Sequence, residues 1–292
     1  MTKALITGSS GFVGAHLWDH LSSLGFEVHG MDRTNTNNKK NNNTFTCDLL
    51  DVENLSRIIT KISPDYVFHL AAQSSVKDSW ENPELTYNVN VNGTKNLLDA
   101  IEGAGIKSRI LVISSSQVYG APRKVPISES HPLKPSNPYA KSKLEQEKLC
   151  GDYALDIVIS RSFNHTGPGQ SPSFVCSDFA RQIADIKKGL KEPTMRTGNL
   201  KSERDFTDVR DIVRAYQSAL EKCSPGGIYN ICSGQGYSAK EILDLLMEVS
   251  GVDMSHHQHA GLRNGLDDIH HTRNAFELDT VDRRFFVKPD RV

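Results

Sequence analysis

A tyrosine and a lysine four residues apart, Tyr139 and Lys143, carry the most specific chemistry in this sequence. They lie in the segment PYAKSK, downstream of a serine-bearing strand end that reads ISSSQVYG. On a helix, a four-residue step places both side chains on one face, where the ammonium can stabilise a phenolate and lower the pKa of the phenol. A tyrosine tuned in this way can exchange a proton with a carbonyl or carbinol oxygen. The same spacing occurs by chance on many surface helices, so the pair alone leaves a structural role open.

Three glycines in the segment GSSGFVG follow the first predicted strand. Gly8, Gly11 and Gly14 give the spacing GxxGxxG at a turn from strand to helix. A turn without Cβ atoms lets backbone N–H groups and the helix N-terminus approach a pyrophosphate, and Phe12 and Val13 belong to the same predicted contact. The glycines alone would also suit a tight turn that binds nothing. Their place between a strand and a helix favours a dinucleotide cofactor, NAD(H) or NADP(H).

The second predicted strand ends at Asp32, about twenty residues after the glycines. A carboxylate there can accept hydrogen bonds from the adenosine ribose hydroxyls, which favours NAD. The neighbouring Arg33 could instead pair with a 2′-phosphate, so the use of both NAD and NADP is credible. Asp48 and Leu49 follow the third strand, where they could meet the adenine or form an ordinary turn.

Short β-branched runs alternate with longer amphipathic segments over about the first 160 residues. This alternation predicts an α/β fold of the Rossmann type, with a doubly wound parallel sheet, as the NAD(P)-binding domain over residues 1–160. The predicted strands are 3–7, 27–31, 44–46, 66–70, 109–114 and 156–160. The predicted helices lie near 12–24, 52–62, 85–102 and 139–153.

The second half, residues 161–292, is predicted to form mainly a smaller sugar-nucleotide-binding lobe. It would close over the carboxyl edge of the sheet, where ligands of open α/β folds bind, although segments of it can return to the sheet. Helices are predicted near 174–188 and 209–222, a loop over 164–173 and a strand over 227–232. The Asn-rich stretch 34–43 is interpreted as a solvated loop.

Composition restricts the partners of the chain. The 34 lysines and arginines nearly cancel the 35 aspartates and glutamates, so no overall field favours nucleic acid or an anionic membrane. Five scattered cysteines without CxxC spacing argue against a disulfide framework or a thiolate metal site, and we expect reduced thiols in the cytoplasm. The histidines around 256–271 lack ordered ligand spacing, so no metal is expected. We see neither a signal peptide nor an apolar run of the roughly 20 residues that span a bilayer.

Taken together, the motifs resemble those of the extended short-chain dehydrogenase/reductase family over nearly the whole chain. They are GSSGFVG, HLAAQSSV, NVNVNGTKNLLDA, SSSQVYG and YAKSK. Within that family the segments RSFNHTGPGQ, SDFARQI and RDFTDVRD are most similar to the reductases of GDP-4-keto-6-deoxymannose. Relatives that act on other nucleotide sugars share parts of these three segments. The chain departs from the family pattern over its last thirty residues.

The resemblance implies catalytic roles for three residues. Tyr139 is the proton donor, Lys143 its partner, and Ser115 the hydroxyl that hydrogen-bonds the substrate oxygen. Ser115 is chosen because it lies four residues before Tyr119, where the family pattern keeps a serine or threonine. The neighbouring serines are alternatives for that hydroxyl, namely Ser114 and Ser116.

The resemblance also implies further contacts to the cofactor and the substrate. Those along the cofactor are Leu70, Ala71, Ala72, Gln73, Asn90, Ser114, Phe163 and the catalytic Tyr139 and Lys143. Those to the substrate are Ser115, Ser116, Gln117, Asn164, Arg181, Arg204 and Arg263. Arg204 and Arg263 resemble positions that contact the diphosphate or its ribose, and guanidinium groups suit phosphate geometry. For Asn90, Asn164 and Arg181, a structural or solvated role remains an alternative.

Gln117 separates this chain from the related sugar-nucleotide 4,6-dehydratases. Those enzymes resemble the surrounding segment but carry a glutamate there, a carboxylate used to remove a proton. An amide has no basic oxygen able to do so at neutral pH. Elimination is therefore disfavoured, and simple reduction of a ketone fits what remains.

On this resemblance we expect an NAD(P)-dependent oxidoreductase that reversibly reduces the C4 ketone of GDP-4-keto-6-deoxy-D-mannose, in deoxysugar biosynthesis for surface polysaccharide. The product is GDP-6-deoxy-D-talose or GDP-D-rhamnose, because the sequence does not fix the face of hydride attack. A cytoplasmic homodimer without nucleic-acid or membrane partners is expected. Two alternatives stay open: a nucleotide-sugar 4-epimerase or 4,6-dehydratase of the same family, and a non-catalytic dinucleotide-sensing protein.

Overall fold

A computed structural model describes residues 1–34 and 43–252 of the chain. The strands in this part are β1 Lys3–Thr7, β2 Glu27–Asp32, β3 Thr44–Thr46, β4 Tyr66–His69, β5 Arg109–Ser115, β6 Asp156–Ser162, β7 Asn164–Thr166, β8 Glu203–Asp208, β9 Ile228–Ile231 and β10 Gly236–Ser238. The α-helices are α1 Phe12–Ser23, α2 Val52–Ile62, α3 Val76–Glu81, α4 Pro83–Tyr87, α5 Gly93–Gly103, α6 Pro138–Cys150, α7 Val175–Lys187, α8 Val209–Lys222 and α9 Ala239–Ser250. A π-helical turn covers Asn88–Asn92, and a 3-10 helix covers Ser116–Tyr119.

The large sheet confirms the predicted fold class. Within the described residues it has seven strands in the order β3-β2-β1-β4-β5-β6-β9, and every pair of neighbours is parallel. Helices cover both faces, since Leu5 of β1 packs into one apolar cluster with α2 and α5, whereas Ala4 and Ile6 pack into another with α1 and α8. Side chains alternate between the faces of a strand, so a strand covered on both sides is apolar throughout.

The strand order reverses between β1 and β4, which gives the sheet its ligand-binding crevice. From β1 the chain proceeds to β2 and β3 on one side, and from β4 it proceeds to β5 and β6 on the other. The glycine turn after β1 therefore lies beside the segment that follows β4. A Cβ at Gly8 would lie 3.0 Å from both the Cα and the N atom of Ala71. Open α/β sheets bind ligands at this kind of switch point, at the carboxyl ends of the strands.

The second half of the chain forms a small sheet and also adds a strand to the large sheet. Three strands form a small sheet in the order β10-β8-β7, and α7 and α9 pack on each other around a separate apolar cluster that includes Phe179, Met195 and Leu243. In contrast, β9 pairs with β6 in the large sheet, and α8 packs on α1. Segments after residue 160 thus return to the large sheet, and the division into residues 1–160 and 161–292 stays a prediction.

Several elements differ from the sequence prediction. The single helix expected over 85–102 is interrupted by the π-helical turn between α4 and α5. β7 lies where a loop was expected, and α3, β8, β10 and α9 were not predicted. Most of the Asn-rich stretch 34–43, the histidines around 256–271 and Arg263 lie outside the described residues. No helix in the described part is long and apolar enough to cross a membrane.

Candidate active site

The glycine turn leaves the start of α1 open to an anion. Gly8 has a φ of +73°, a left-handed conformation that favours glycine, and its N–H donates to the carbonyl of Met31 at 2.7 Å. A Cβ at Gly14 would lie 2.2 Å from the Gly8 carbonyl oxygen, so only glycine lets α1 approach the turn this closely. Gly11 is the N-cap residue and supplies no side-chain cap. The N–H groups of the first helical turn, which begins at Phe12 and Val13, therefore suit a pyrophosphate.

Asp32 is held against this turn by two serines. Its carboxylate accepts hydrogen bonds from the Ser9 hydroxyl at 2.5 Å, the Ser10 hydroxyl at 2.8 Å and the Ser10 backbone N–H at 3.0 Å. Arg33, the next residue, is exposed. The structure thus places the carboxylate at the edge of the predicted cofactor site, with a cationic side chain beside it. Ser9 and Ser10 were not singled out from the sequence.

Asp48 and Leu49 have structural roles in the turn after β3. The Asp48 carboxylate accepts the N–H of Leu50 at 2.9 Å. The Leu49 side chain is buried in the core, and a Cβ at Gly93 would lie 3.0 Å from it. Its carbonyl accepts the Asn96 side-chain amide at 2.9 Å. The Leu49 side chain is thus part of the core, and a cofactor contact at Leu49 stays a prediction.

The segment after β4 is fixed by buried polar groups. The Ala71 N–H donates to the Thr7 hydroxyl at 3.1 Å, and the Gln73 N–H donates to the Asn90 side-chain oxygen at 2.8 Å. The Asn90 amide nitrogen returns a bond to the Gln73 carbonyl at 3.1 Å and another to the Ser142 hydroxyl at 2.9 Å. Asn90 lies in the π-helical turn, so the turn presents an amide that clamps residues 70–73 to α6. Leu70, Ala71, Ala72 and Gln73 are all half-buried beside the crevice.

Tyr139 and Lys143 lie in the first turns of α6. This helix starts with an Asn137 cap, whose side-chain oxygen accepts the Ala140 N–H at 2.8 Å, and with proline at the first helical position. Burial raises the pKa of Tyr139, whereas its hydrogen bond with Ser115 lowers it. The net direction is upward and Lys143 is not among its causes, so the expected lowering of this pKa by Lys143 is wrong. The phenol is therefore protonated at neutral pH, as a proton donor must be.

Lys143 is buried, with its ammonium held by neutral oxygens. Its Nζ donates to the Ile113 carbonyl at 2.8 Å and to the Gln146 side-chain oxygen at 3.0 Å. Burial lowers the pKa of Lys143 to about 8. The amine consequently exchanges its proton within the range in which enzymes are assayed.

The three serines at the end of β5 have different partners. Ser115 bonds with Tyr139, and its hydroxyl oxygen accepts the Gln117 N–H at 3.2 Å. The Ser114 hydroxyl instead donates to Glu147 at 2.5 Å, within a buried ion pair between Glu147 and Arg161. Ser116 begins the 3-10 helix. The geometry thus favours Ser115 over Ser114 as the catalytic hydroxyl, and it turns the Ser114 hydroxyl away from a predicted cofactor contact.

Gln117 is oriented by the helix cap of α6. Its side-chain oxygen accepts the Asn137 amide at 2.8 Å. The bond uses the amide oxygen of Gln117, so its two remaining N–H donors are left for other partners. Asn137 was not singled out from the sequence, although an Asn-Pro pair before a helical run is a recognisable cap signal.

The predicted substrate arginines occupy different environments. Arg204 lies on β8 beside Tyr237 of β10, is partly buried, and donates to the Glu203 carbonyl at 2.7 Å. Burial lowers the pKa of its guanidinium. Arg181, in contrast, lies on the exposed side of α7 and pairs with Asp178 at 2.8 Å.

Phe163 and Asn164 connect the large sheet to the small one. The Phe163 side chain is buried in an apolar cluster with Tyr119, and its N–H donates to the Ile231 carbonyl at 2.9 Å. Only its backbone can therefore meet a cofactor in this arrangement. Asn164 begins β7, and the ring of the next residue, His165, stacks on Phe12 at 6.1 Å between centroids. The small sheet thus approaches the start of α1.

Comparison with known proteins places this geometry in a family. The sequence model described as GDP-mannose 4,6 dehydratase matches residues 5–287. The chain is 38% identical over 261 residues to GDP-6-deoxy-D-mannose reductase of Pseudomonas aeruginosa, covering 87% of this chain and 82% of the relative. A solved structure of RMD from Pseudomonas aeruginosa, complexed with NADPH, has a TM-score of 0.78 at 36% identity, over 87% of this chain and 85% of that one. UDP-glucose 4-epimerase of Thermus thermophilus, complexed with NAD, has a TM-score of 0.81 at 31% identity, over 94% and 90% of the two chains.

Proposed function

Since the chain belongs to the GDP-mannose 4,6-dehydratase family of extended short-chain dehydrogenases/reductases, we propose that it reduces the C4 ketone of GDP-4-keto-6-deoxy-D-mannose with NADH or NADPH. It is an NAD(P)-dependent oxidoreductase of nucleotide-sugar metabolism. The product is GDP-6-deoxy-D-talose or GDP-D-rhamnose, formed reversibly in deoxysugar biosynthesis for surface polysaccharide. Similarity to a reductase along most of both chains supports this assignment.

The described residues fit a dinucleotide cofactor. The Cβ-free approach of Gly14 to Gly8 and the uncapped start of α1 provide a cradle for the pyrophosphate. Asp32 suits the adenosine ribose, and Lys143 suits the ribose of the nicotinamide. When bound, the reduced cofactor supplies the hydride that reduces the ketone.

The protein's own residues manage the proton and the substrate oxygen. Tyr139 donates its phenolic proton to the carbonyl oxygen as charge develops on it, and the Ser115 hydroxyl orients the same oxygen. The Lys143 ammonium stabilises the phenolate that remains. Arg204 offers a positive charge for the diphosphate of the substrate, which suits a chain of formal net charge −1 that must bind an anion by local groups.

The amide side chain of Gln117 favours reduction over elimination. It lies two residues after Ser115, and its amide oxygen is occupied by Asn137. At this place the chain offers N–H donors and no carboxylate, so it has no base there to remove a proton from the sugar. A non-catalytic sensor is disfavoured because such a protein needs no proton donor, whereas this chain has Tyr139 together with Ser115 and Lys143.

A nucleotide-sugar 4-epimerase is the second candidate. The likeness to an epimerase complexed with NAD favours it, as does Asp32 at the ribose position. An epimerase keeps its NAD bound and regenerates it in every cycle. Turnover without added cofactor would therefore identify it.

The decisive experiment is incubation of the protein with GDP-4-keto-6-deoxymannose and either NADH or NADPH. We expect consumption of the reduced cofactor in proportion to a product whose C4 configuration is read by NMR. An equatorial hydroxyl identifies the rhamnose product and an axial one the 6-deoxytalose product. No cofactor consumption, together with C4 inversion of a nucleotide sugar by the protein alone, would replace the reductase by the epimerase.

We also propose that the protein works as a cytoplasmic homodimer. The described cysteines are all unpaired thiols, as in a reducing compartment. Trp80, Leu85 and Tyr87 are each about half exposed on or beside α3 and α4, next to α6, and give this face an apolar surface that a second copy can cover. Light scattering of the purified protein at micromolar concentration tests the dimer, and a monomeric mass would overturn it.

A further inference from the structure

The ammonium of Lys143 is held by two oxygen atoms of the protein. An ammonium has three N–H donors. One is taken by the Ile113 carbonyl at 2.8 Å and a second by the side-chain oxygen of Gln146 at 3.0 Å. The third N–H is thereby aimed by the other two. Lys143 and Gln146 are 3% and 0% exposed, so this geometry is set inside the protein and not by solvent.

Gln146 can present only its oxygen to Lys143, because its nitrogen has a fixed partner. The amide nitrogen donates to the Thr94 hydroxyl oxygen at 2.6 Å. The Thr94 hydroxyl proton goes to the Asn90 carbonyl at 2.7 Å, so the Thr94 oxygen is an acceptor towards its other neighbours. An inverted Gln146 amide would face Lys143 with N–H groups and leave Thr94 opposite an oxygen.

The direction of bonding continues through His69 to β1. The His69 Nε2 lies 2.8 Å from the Thr94 oxygen and must donate to it, so the Nδ1 accepts the Thr7 hydroxyl proton, also at 2.8 Å. The Thr7 oxygen then accepts the Ala71 N–H. The four side chains of this chain of bonds, from Thr7 to Gln146, are almost completely buried. The direction of donation is therefore fixed for every hydrogen bond between Thr7 of β1 and Lys143.

Charged groups approach Lys143 from several elements, but each is already satisfied or neutral. On α6, Glu147 forms a bidentate pair with Arg161 of β6, and burial raises the pKa of the Cys150 thiol to about 12. Burial and the charge of Lys143 lower the pKa of His69 on β4 to about 3, so its ring is neutral. Tyr139, one helical turn away, is protonated. The direct partners of the ammonium in the described structure are thus neutral oxygens.

We propose that Gln146 is a positioning residue for Lys143: it holds the ammonium by an uncharged oxygen, fixed through Thr94 and His69, and so directs the third N–H to the cofactor ribose. This role rests on the proposed function of the site as a nicotinamide-dependent reductase. A carboxylate in the same place would hold the ammonium more strongly and keep it charged to higher pH. An apolar side chain would leave it with one acceptor fewer.

The test compares the pH dependence of NADH binding in the parent protein, Gln146→Glu and Gln146→Met. NADH affinity should be high while Lys143 is charged and should fall as the pH rises through the pKa of about 8. Gln146→Glu should move this fall upward by about one pH unit or more, since a close opposite charge raises the pKa of an amine by that order. Gln146→Met should move the fall in NADH affinity to lower pH. Lys143→Met should abolish this pH dependence.

Shifts in opposite directions are a signature that a purely structural role of Gln146 does not produce. Lys148→Gln, on the exposed side of the same helix, changes the net charge by the same amount as Gln146→Glu. In this variant NADH affinity should fall at the same pH as in the parent protein. Coincident falls in the parent and both Gln146 variants would overturn the proposal, as would a fall that persists in Lys143→Met. NADH binding needs no sugar substrate, so the role of Gln146 can fail while 4-keto-sugar reduction succeeds, and the reverse. A parent protein that binds neither NADH nor NADPH would overturn both.

Discussion

At Tyr139, burial and hydrogen bonding act on the phenol in opposite directions. Burial is the larger effect and raises its pKa, whereas the bond with Ser115 lowers it. The phenol therefore carries its proton at neutral pH until a developing oxyanion draws it away. Lys143 then meets the phenolate with its positive charge, so the two residues act at different moments of one proton transfer.

Replacing Tyr139 by phenylalanine should separate proton transfer from binding. The ring and its packing remain, but the transferable proton is lost, so kcat for reduction should fall by about 10²- to 10⁴-fold while NADH affinity persists. Lys143→Met should lower both kcat and cofactor affinity, because it removes the positive charge proposed to stabilise the phenolate and a donor for the ribose. Steady-state kinetics and NADH titrations check this contrast. Near-parental turnover in Tyr139→Phe would mean that the proton comes from elsewhere.

Asp32 should govern the choice between NADH and NADPH. Two charges about 4 Å apart near a protein surface repel by about 1 to 4 kcal/mol, so removing this carboxylate should raise the ratio of kcat/KM for NADPH to that for NADH by at least about fivefold. Asp32→Asn is the matched variant of Asp32→Ala, because it removes the charge and keeps an oxygen for the Ser10 donors. Both should show the shift. An unchanged ratio in the two variants would exclude Asp32 from the ribose site.

Arg204 should contribute to binding of the sugar nucleotide and not of the cofactor. A charge-assisted contact to phosphate contributes about 1.5 to 3 kcal/mol, so Arg204→Ala should raise KM for the sugar by about one to two orders of magnitude. Arg214→Ala, which removes an exposed arginine of α8, is the control and should leave KM unchanged. Calorimetry with GDP measures the same contact directly. Unchanged GDP affinity would give Arg204 a structural role.

The positions of the predicted site residues along the chain are easier to derive from the sequence than the directions of their side chains. Tyr139 and Lys143 could be placed because a four-residue step on a helix has one geometric meaning. Ser114, Leu49 and Phe163 were expected at the cofactor, yet their side chains face Glu147 or the apolar core. Which side of a strand end faces the crevice depends on its register and on packing partners far away in the sequence, and a single sequence does not contain that information.

At the scale of elements, the cofactor site depends on how closely α1 approaches the end of β1. A Cβ at Gly14 would lie 2.2 Å from the Gly8 carbonyl oxygen and 2.8 Å from the Ser9 Cα, both backbone atoms that cannot turn aside. Gly14→Ala should thus displace the turn, lower the free energy of unfolding by about 1 to 3 kcal/mol and weaken NADH binding. Gly103→Ala is the matched control, since nothing lies within 4 Å of the added Cβ, and should leave NADH affinity unchanged. Thermal unfolding and NADH titration measure both effects, and equal NADH affinity in the two variants would contradict this role of Gly14.

Most elements of the first half, although not α3, could be predicted because β-α alternation repeats a simple pattern. The helix expected over 85–102 failed at Asn88–Asn92, where the buried Asn90 bonds to Gln73 and Ser142 and a π-helical turn accommodates it. The short strands β7, β8 and β10 escaped prediction because they carry polar residues and pair over long sequence distances. Local patterns thus specify the large sheet, while the small one depends on tertiary pairing.

At the scale of the whole molecule, one chain of buried hydrogen bonds joins the two sides of the switch point. It runs from Thr7 of β1 through His69 of β4 and Thr94 of α5 to Gln146 of α6, next to Lys143. These hydrogen bonds therefore connect the cofactor cradle to α6, and they require a neutral His69. His69 is the member of that chain of bonds that stays neutral in the fold and takes up a proton when the protein unfolds in moderate acid.

Protonation of His69 should couple the stability of the whole fold to pH. Its pKa is about 3 in the folded protein because burial disfavours the imidazolium, whereas an unfolded chain binds the proton near pH 6.5. Between these values the unfolded state binds one proton more than the folded state, so the contribution of neutral His69 is fully present above about pH 6.5 and is lost as the pH falls. His69→Gln should reduce the slope of the unfolding free energy against pH, between about pH 5 and 6, by up to about 1.4 kcal/mol per pH unit. The slope is the diagnostic quantity, since glutamine does not titrate and any loss of packing or hydrogen bonding at this position changes the free energy of unfolding equally at every pH. Urea unfolding of the two proteins across this range measures it, and parallel curves would show that His69 takes up no proton on unfolding.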